Sequence, residues 1–207
     1  MLEDVIGGTE ELREHVGEPI PRTLDKQLDH LDHHCVDFIA RSPIAMLATS
    51  GADGRCDCSP RGGPRGFAHV IDAKHVALPD YKGNRRQDSH VNVTENAHVG
   101  VLFLIPGLGE TLRVNGTARL VRDPELLGVL ETKGDPPQLA LVVEADEVYM
   151  HCAKAFMRSE LWDPSTWLPE DQLPSVTQIY RDHRDTPGLT VETVASELEE
   201  SYRTRMW

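Results

Sequence analysis

Cysteine is scarce in this chain of 207 residues: Cys35, Cys56, Cys58 and Cys152 are all there are. They are too few and too unevenly spaced for a disulfide scaffold. They read as reduced thiols, as expected of a cytoplasmic protein. No apolar run approaches the ~18 residues that a membrane-spanning helix needs. The opening "MLEDVIGGTEELREHV" is acidic and amphipathic, without the basic start and apolar centre of a secretory signal. Positive charge is also in short supply: 21 Lys and Arg stand against 34 Asp and Glu, a formal net charge of -13. That balance argues against a nucleic-acid surface, which needs a basic face to neutralise phosphates. It leaves room for one small anionic ligand in one basic pocket. Two glycine signatures are absent as well. No GxGxxG follows a first strand and no GxxxxGK[ST] occurs, and the glycines of "PGLGE" lie between two strands. A Rossmann or P-loop site therefore fails on context.

What is present is a sequence of short, alternating apolar runs. The spacing predicts a short helix over 8–16, broken by Pro19 and Pro21. Leu24, Leu28, Leu31, Cys35 and Phe38 then fall on one stripe of a helix over 22–41, stopped by Ser42-Pro43. Strands follow at 44–50, 55–60, 66–72, 75–80, 97–106, 111–121 and 139–152, with "GADG" and "GLGE" as turns. Helices are expected over 85–96, over 153–162, and from Asp123-Pro124, an N-cap with proline at the first helical position, to about Leu130. Residues 163–188 carry four prolines around Trp167 and read as an ordered loop, and 189–205 closes as a helix with Val191, Val194, Leu198 and Tyr202 on one face. Short strands joined by hairpins point to a mainly β, α+β chain: a small antiparallel split β-barrel with helices outside. The expected division is 1–42 as an N-terminal helical extension, 43–162 as the barrel domain, and 163–207 as a loop and helix packed on the barrel.

Against the acidic background, "LPDYKGNRRQDS" (78–89) stands out. Lys82, Arg85 and Arg86 surround Gly83 and Asn84 at the end of a strand and before a helix. A terminal phosphate dianion needs charged donors and close backbone N–H groups, which this loop offers. A solvated turn that balances local acid accounts for the same charges. In "CDCSPRGGPRG" (56–66), Cys56 and Cys58 alternate onto one strand face; without a second pair they read as small packed side chains rather than zinc ligands. Ser59 and Arg61 end that strand on a Pro/Gly frame, and a hydroxyl with a guanidinium there suits a phosphate or a flavin edge. His30 and His34 in "DHLDHHC" lie one helical turn apart, but a solvated helix face explains them and no metal is expected. In "HCAKAFMRSELW" (151–162), Lys154, Arg158, Ser159 and Trp162 can present cations and an aromatic plane to a planar anion, or Phe156 and Trp162 can be core.

Taken in order, "FIARSPIAMLATSGADGRCDCSPRGG", "HVALPDYKGNRRQDSHVNVTENAHVGVLFLIPG", "ETLRVNGTARLV" and "VYMHCAKAFMRSELW" resemble the pyridoxamine 5'-phosphate oxidase-like flavoproteins, the FMN-binding split-barrel family. The likeness spans roughly residues 38–162. It implies FMN between the two subunits of a homodimer, with its phosphate on the basic loop. It carries over Ser59 and Arg61, the loop residues Tyr81, Lys82, Gly83, Asn84 and Arg85, and Arg113 of "LRVNG". It further implies Lys154, Arg158, Ser159 and Trp162 as cofactor contacts. The C-terminal helix departs from the C-terminal strand of the vitamin B6 oxidases, so the chain looks more like the uncharacterised FMN-dependent branch. The expectation is an FMN-dependent oxidoreductase acting on an unknown small molecule, with Arg61 or Lys154 stabilising the anionic reduced flavin. A non-enzymatic flavin carrier and a deazaflavin-dependent reductase are the alternatives.

Overall fold

The computed structural model describes residues 3–83, 86–132 and 135–206. Its strands are β1 (Ile44–Ser50), β2 (Cys56–Gly62), β3 (His69–Val70), β4 (His75–Asp80), β5 (His98–Leu104), β6 (Thr111–Val121) and β7 (Leu139–His151). They form one antiparallel sheet in the order β2-β1-β5-β6-β7-β4-β3. The helices are α1 (Thr9–Val16), α2 (Pro21–Leu24), α3 (His33–Arg41), α4 (Asp88–Glu95), α5 (Pro124–Val129), α6 (Lys154–Ser159), α7 (Val176–Asp182) and α8 (Val191–Thr204). The fold is α+β, of the split-barrel type; the expected mainly β balance is not met, because the helices outside the sheet hold more residues than its strands. Among the described residues, no helix is long and apolar enough to cross a membrane.

Strand alternation decides what is buried. Residues directly opposite in neighbouring strands share a face. Ala45 and Leu47 of β1 face the same side as Phe103 and Val101 of β5, and these in turn lie opposite Leu112 and Val114 of β6. All are buried in one cluster, which Phe38 and Ile39 of α3 and Val93 of α4 complete. Burying one such side chain contributes about 1.5–3 kcal/mol. This face therefore holds the sheet to α3 and α4.

The expected helix over 22–41 is two helices with extended chain between them. α2 ends at Leu24 and α3 starts at His33. Between them Leu28 bridges to Val148, with backbone bonds of 2.9 and 2.8 Å, and Leu31 N donates to Ala73 O at 2.7 Å. Backbone groups already satisfied by the sheet cannot also serve a helix. Asp32 then caps α3 by accepting from Cys35 N at 2.9 Å. His30 consequently lies outside α3, so it does not stand one helical turn from His34. Other boundaries move as well. The strand expected over 66–72 shrinks to His69–Val70, α4 starts at Asp88 rather than 85, and α6 stops at Ser159, where Glu160 takes φ 50°. The stretch 163–188 also contains a helix, α7, capped by Ser175, whose Oγ accepts from Gln178 N.

The register of β6 with β7 shifts at Asn115/Gly116, a β-bulge. A Cβ on Gly116 would lie 1.9 Å from the Glu144 carbonyl oxygen, whereas one on Gly128 in α5 would meet nothing within 4 Å. Gly116→Ala is expected to cost about 3 kcal/mol or more, and Gly128→Ala to gain about 0.5–1 kcal/mol. Urea unfolding midpoints measure both; an unshifted Gly116→Ala midpoint would show that the bulge relaxes freely.

Candidate functional site

The site begins with an edge strand that places polar groups where a core would be. In β2, Arg61 lies opposite Ala45, Ser59 opposite Leu47, and Asp57 opposite Thr49. These three share the core-facing side of the sheet. α4 covers them with polar side chains of its own: Ser89, His90 and Asn92 are buried. Asn92 Nδ2 donates to Asp57 Oδ2 at 2.8 Å and to Thr49 Oγ1 at 3.0 Å, and Ser89 Oγ donates to Ser59 Oγ at 3.4 Å.

Arg61 is the centre of this layer. Its Nη1 donates to Asp80 Oδ1 at 3.2 Å, and His90 Nε2 lies 3.2 Å from the same oxygen. The side chains of Arg61 and Asp80 are 11% and 13% exposed. The other donors of the guanidinium, Nε and Nη2, are buried and have no hydrogen-bond partner. Burial pulls the Arg61 pKa down, against the opposing pull of the Asp80 charge. An arginine stays protonated through such a shift, so two charged donors are left without acceptors. Each unsatisfied buried donor costs about 1–3 kcal/mol, more when charged.

Next to this cluster, the end of β4 runs into the basic loop. Asp80, Tyr81, Lys82, Gly83 and Arg205 line a cleft of about 430 Å³. Tyr81 Oη hydrogen-bonds Thr132 Oγ1 at 2.8 Å. Lys82 pairs with Asp135, both partly exposed. Gly83 has φ 126°, a backbone that disfavours any side chain. Asn84 and Arg85 lie outside the described residues. Arg86 pairs with Asp88 and points into solvent.

The remaining expected contacts are elsewhere in this chain. Arg113 of β6 lies opposite Tyr149 and Leu102, on the face of the sheet away from Arg61. Its Nη1 donates to Tyr149 Oη at 3.0 Å. Lys26 stands 5.8 Å from the centre of the Tyr149 ring. His151 is part of the same group; its Nε2 is buried without a partner. Burial, then the charges of Arg113 and Lys26, lower its pKa. Lys154, Arg158 and Ser159 are exposed on α6, and Ser159 Oγ donates to Phe156 O. Trp162 stacks on Phe156 with ring centres 5.8 Å apart and donates to Leu108 O at 2.9 Å. Among the described residues no hydrogen bond or ion pair joins this helix to Arg61 or Lys82.

Cys56 and Cys58 are exposed, not packed beside the site. The alternation that turns Asp57, Ser59 and Arg61 inward turns these thiols out. Asp32, His33 and His34 bring ligand atoms within 4.8 Å of one another at the solvent-facing start of α3.

Asp80 and His90, which hold Arg61, are not evident as site residues in the sequence. Their one signal is negative. Residues 88–95 lack an apolar stripe, since the positions turned to the sheet include Ser89 and Asn92. A helix packed inward through polar groups must satisfy them on something polar.

The chain matches the sequence model of the pyridoxamine 5'-phosphate oxidase family over residues 31–152. It belongs to that family. No curated protein matches it. Solved structures of similar fold include HupZ of Group A Streptococcus, at 16% identity and TM-score 0.46, covering 56% of this chain and 90% of that one. Another is a Clostridium acetobutylicum protein related to general stress protein 26 (pyridoxinephosphate oxidase family), at 20% identity and TM-score 0.43, covering 56% and 83%. A third is the Vibrio cholerae heme storage protein HutZ, at 16% identity and TM-score 0.38, covering 58% and 93%.

The Arg61–Asp80 pair yields a stability test. Asp80→Ala leaves a nearly buried guanidinium without its counter-charge and is expected to cost about 3–5 kcal/mol. Adding Arg61→Met removes the stranded charge, so the double variant should be more stable than Asp80→Ala alone. Denaturant unfolding of the single and double variants measures the coupling; simple addition of the two losses would show that the pair does not act as a unit.

Proposed function

We propose that the protein binds FMN as a homodimer and uses it to oxidise or reduce a small molecule. The observation that carries this reading is the buried Arg61 guanidinium with two donors and no acceptors, beside a cleft edged by Lys82 and Gly83. Family membership supports a flavin as the cofactor. The donor set fits it: the free edge of Arg61 suits the polar rim of a flavin or its phosphate, and Ser59 adds a hydroxyl. Lys82, with Asn84 and Arg85 by family resemblance, would hold the phosphate. FMN, when bound, supplies the redox chemistry. The chain's own part is to orient it, exclude water from one side through α4, and hold a fixed positive charge in a poorly solvated layer. A cation there needs no reorganisation when negative charge develops nearby.

A homodimer accounts for the second cationic group. Arg113, Tyr149 and His151 occupy the opposite face of the sheet from Arg61, so one chain cannot turn both toward one ligand. In the proposed dimer that face of one subunit completes the site of the other.

Titration of FMN by fluorescence quenching tests the reading. Charge-assisted hydrogen bonds are worth about 1.5–3 kcal/mol, so Arg61→Ala should weaken FMN about ten-fold or more. Unchanged affinity would overturn the assignment of Arg61. Reduction of bound FMN by a nicotinamide donor, followed by reoxidation with an acceptor, separates an enzyme from a carrier. Light scattering at micromolar protein is expected to give the mass of a dimer. A monomer that still binds FMN would refute the interface.

A further inference from the structure

The C-terminal helix α8 lies wholly beyond the family-matched span, yet its end reaches the basic loop. Arg205, the first residue after α8, lines the same cleft as Tyr81, Lys82 and Gly83. The approach is close. A Cβ on Gly83 would stand 3.0 Å from the Arg205 carbonyl oxygen. The helix is fixed upstream of this contact. It packs against α7, Arg184 pairs with Glu197 of α8, and Val194 is 1% exposed.

The charge pattern of the tail singles out Arg205. Arg181 pairs with Asp182, Arg184 with Glu197, and Arg203 with Glu200. Arg205 alone among the arginines of this segment makes no ion pair or side-chain hydrogen bond within the described residues. In a chain with 34 acidic side chains against 21 basic ones, an unpaired, half-buried cation is the exception. Its neighbours in the cleft are already matched. Lys82 has a carboxylate partner in Asp135, both partly exposed, and Asp80 is held by Arg61 and His90. Arg205 is therefore a cleft-lining cation with no acidic partner among the described residues, and a guanidinium's planar donors fit a phosphate monoester.

We propose that Arg205 is a phosphate-binding residue, carried to the cofactor loop by a C-terminal strap that the family-matched region lacks. The inference rests on the FMN reading and adds a contact to it: the strap grips the phosphate end, and Gly83 gives it room to seat.

The test compares the full-length protein with Arg205→Ala and Arg205→Lys, each titrated with FMN and with riboflavin, which lacks the phosphate. Thermal melts confirm that the variants stay folded. The expected result is a loss of FMN affinity of about ten-fold in Arg205→Ala, partial recovery in Arg205→Lys, and unchanged riboflavin affinity. Equal FMN affinity in wild type and Arg205→Ala overturns the inference and leaves the FMN reading intact. Equal weakening of FMN and riboflavin also overturns it, since it would assign Arg205 a packing role. If the wild type binds no FMN, the flavin reading fails by itself. The same variants are then titrated calorimetrically with inorganic phosphate. Weaker phosphate binding by Arg205→Ala sustains the role of Arg205, and equal or absent binding refutes it.

Discussion

One ion pair joins the two ends of the sheet. Arg61 lies on β2, at one edge of the strand order, and Asp80 ends β4, next to the other edge. They are 3.2 Å apart, although five strands, counted from β2 to β7, precede β4 in the order. The sheet must therefore curl until β2 and β4 face each other. They do not pair through backbone. α4 packs on β1, β6 and β2, and its His90 reaches Asp80 at the end of β4. The Cβ position of Gly63, just past β2, comes within 3.4 Å of the Tyr81 ring, so the approach extends beyond the pair. The split in the barrel and the candidate site are thus one feature. A strand ladder across this gap would have used up the backbone groups and excluded the polar side chains. Leaving it open creates a layer in which side chains must satisfy one another. They do so incompletely, since Arg61 keeps two idle donors. Such a deficit is tolerated where a ligand offsets it.

This explains what could be read from the sequence. β1 and β6 were legible to the residue, because alternation and flanking turns agree on their ends. So was α5, whose Asp123-Pro124 start carries its own cap. The loop at 81–86 stands out in the sequence because charge of one sign is rare here, and of its described residues Tyr81, Lys82 and Gly83 line the cleft. The region 22–41 was not. Leucines spaced by three and four specify a helix only if no other element claims the backbone, and β7 claims Leu28. The position of Cys56 and Cys58 followed from alternation; their burial did not, since a face of an edge strand has no fixed cover. Asp80, His90 and Arg205 were invisible for a different reason. Each matters through a contact distant in sequence, and no local pattern encodes a partner 19 or 10 residues away, or beyond the helix that delivers it.

The outer face of the sheet poses the complementary problem. Lys26, Arg113 and His151 gather around Tyr149 with few acids to balance them. Glu147 is close, but it is engaged by Asn115 at 3.0 Å and Gln27 at 3.2 Å. A neutral His151 limits the repulsion among these groups, consistent with the fall in its pKa. In the proposed dimer, this patch and the Arg61 layer are two halves of one environment. A planar ligand with an anionic end would then meet charge on both sides.

The acidity of the whole chain bears on which anions can enter. A net charge of -13 repels a phosphate dianion at long range. At physiological ionic strength that repulsion is screened over about 8 Å, so a small ligand near the cleft feels chiefly the local groups. A polyanion does not escape so easily, because its further phosphates remain over acidic surface while only one reaches the cations. The proposed site would therefore discriminate by size as well as by charge. Hydrogen-bond direction sharpens this further, since Arg61 is fixed by Asp80 and its idle donors cannot turn to follow a misplaced ligand. With the site as proposed, an acidic protein carrying a few well-placed arginines would select a single phosphate monoester on a flat body. A broadly basic surface, by contrast, would bind any phosphate presented to it.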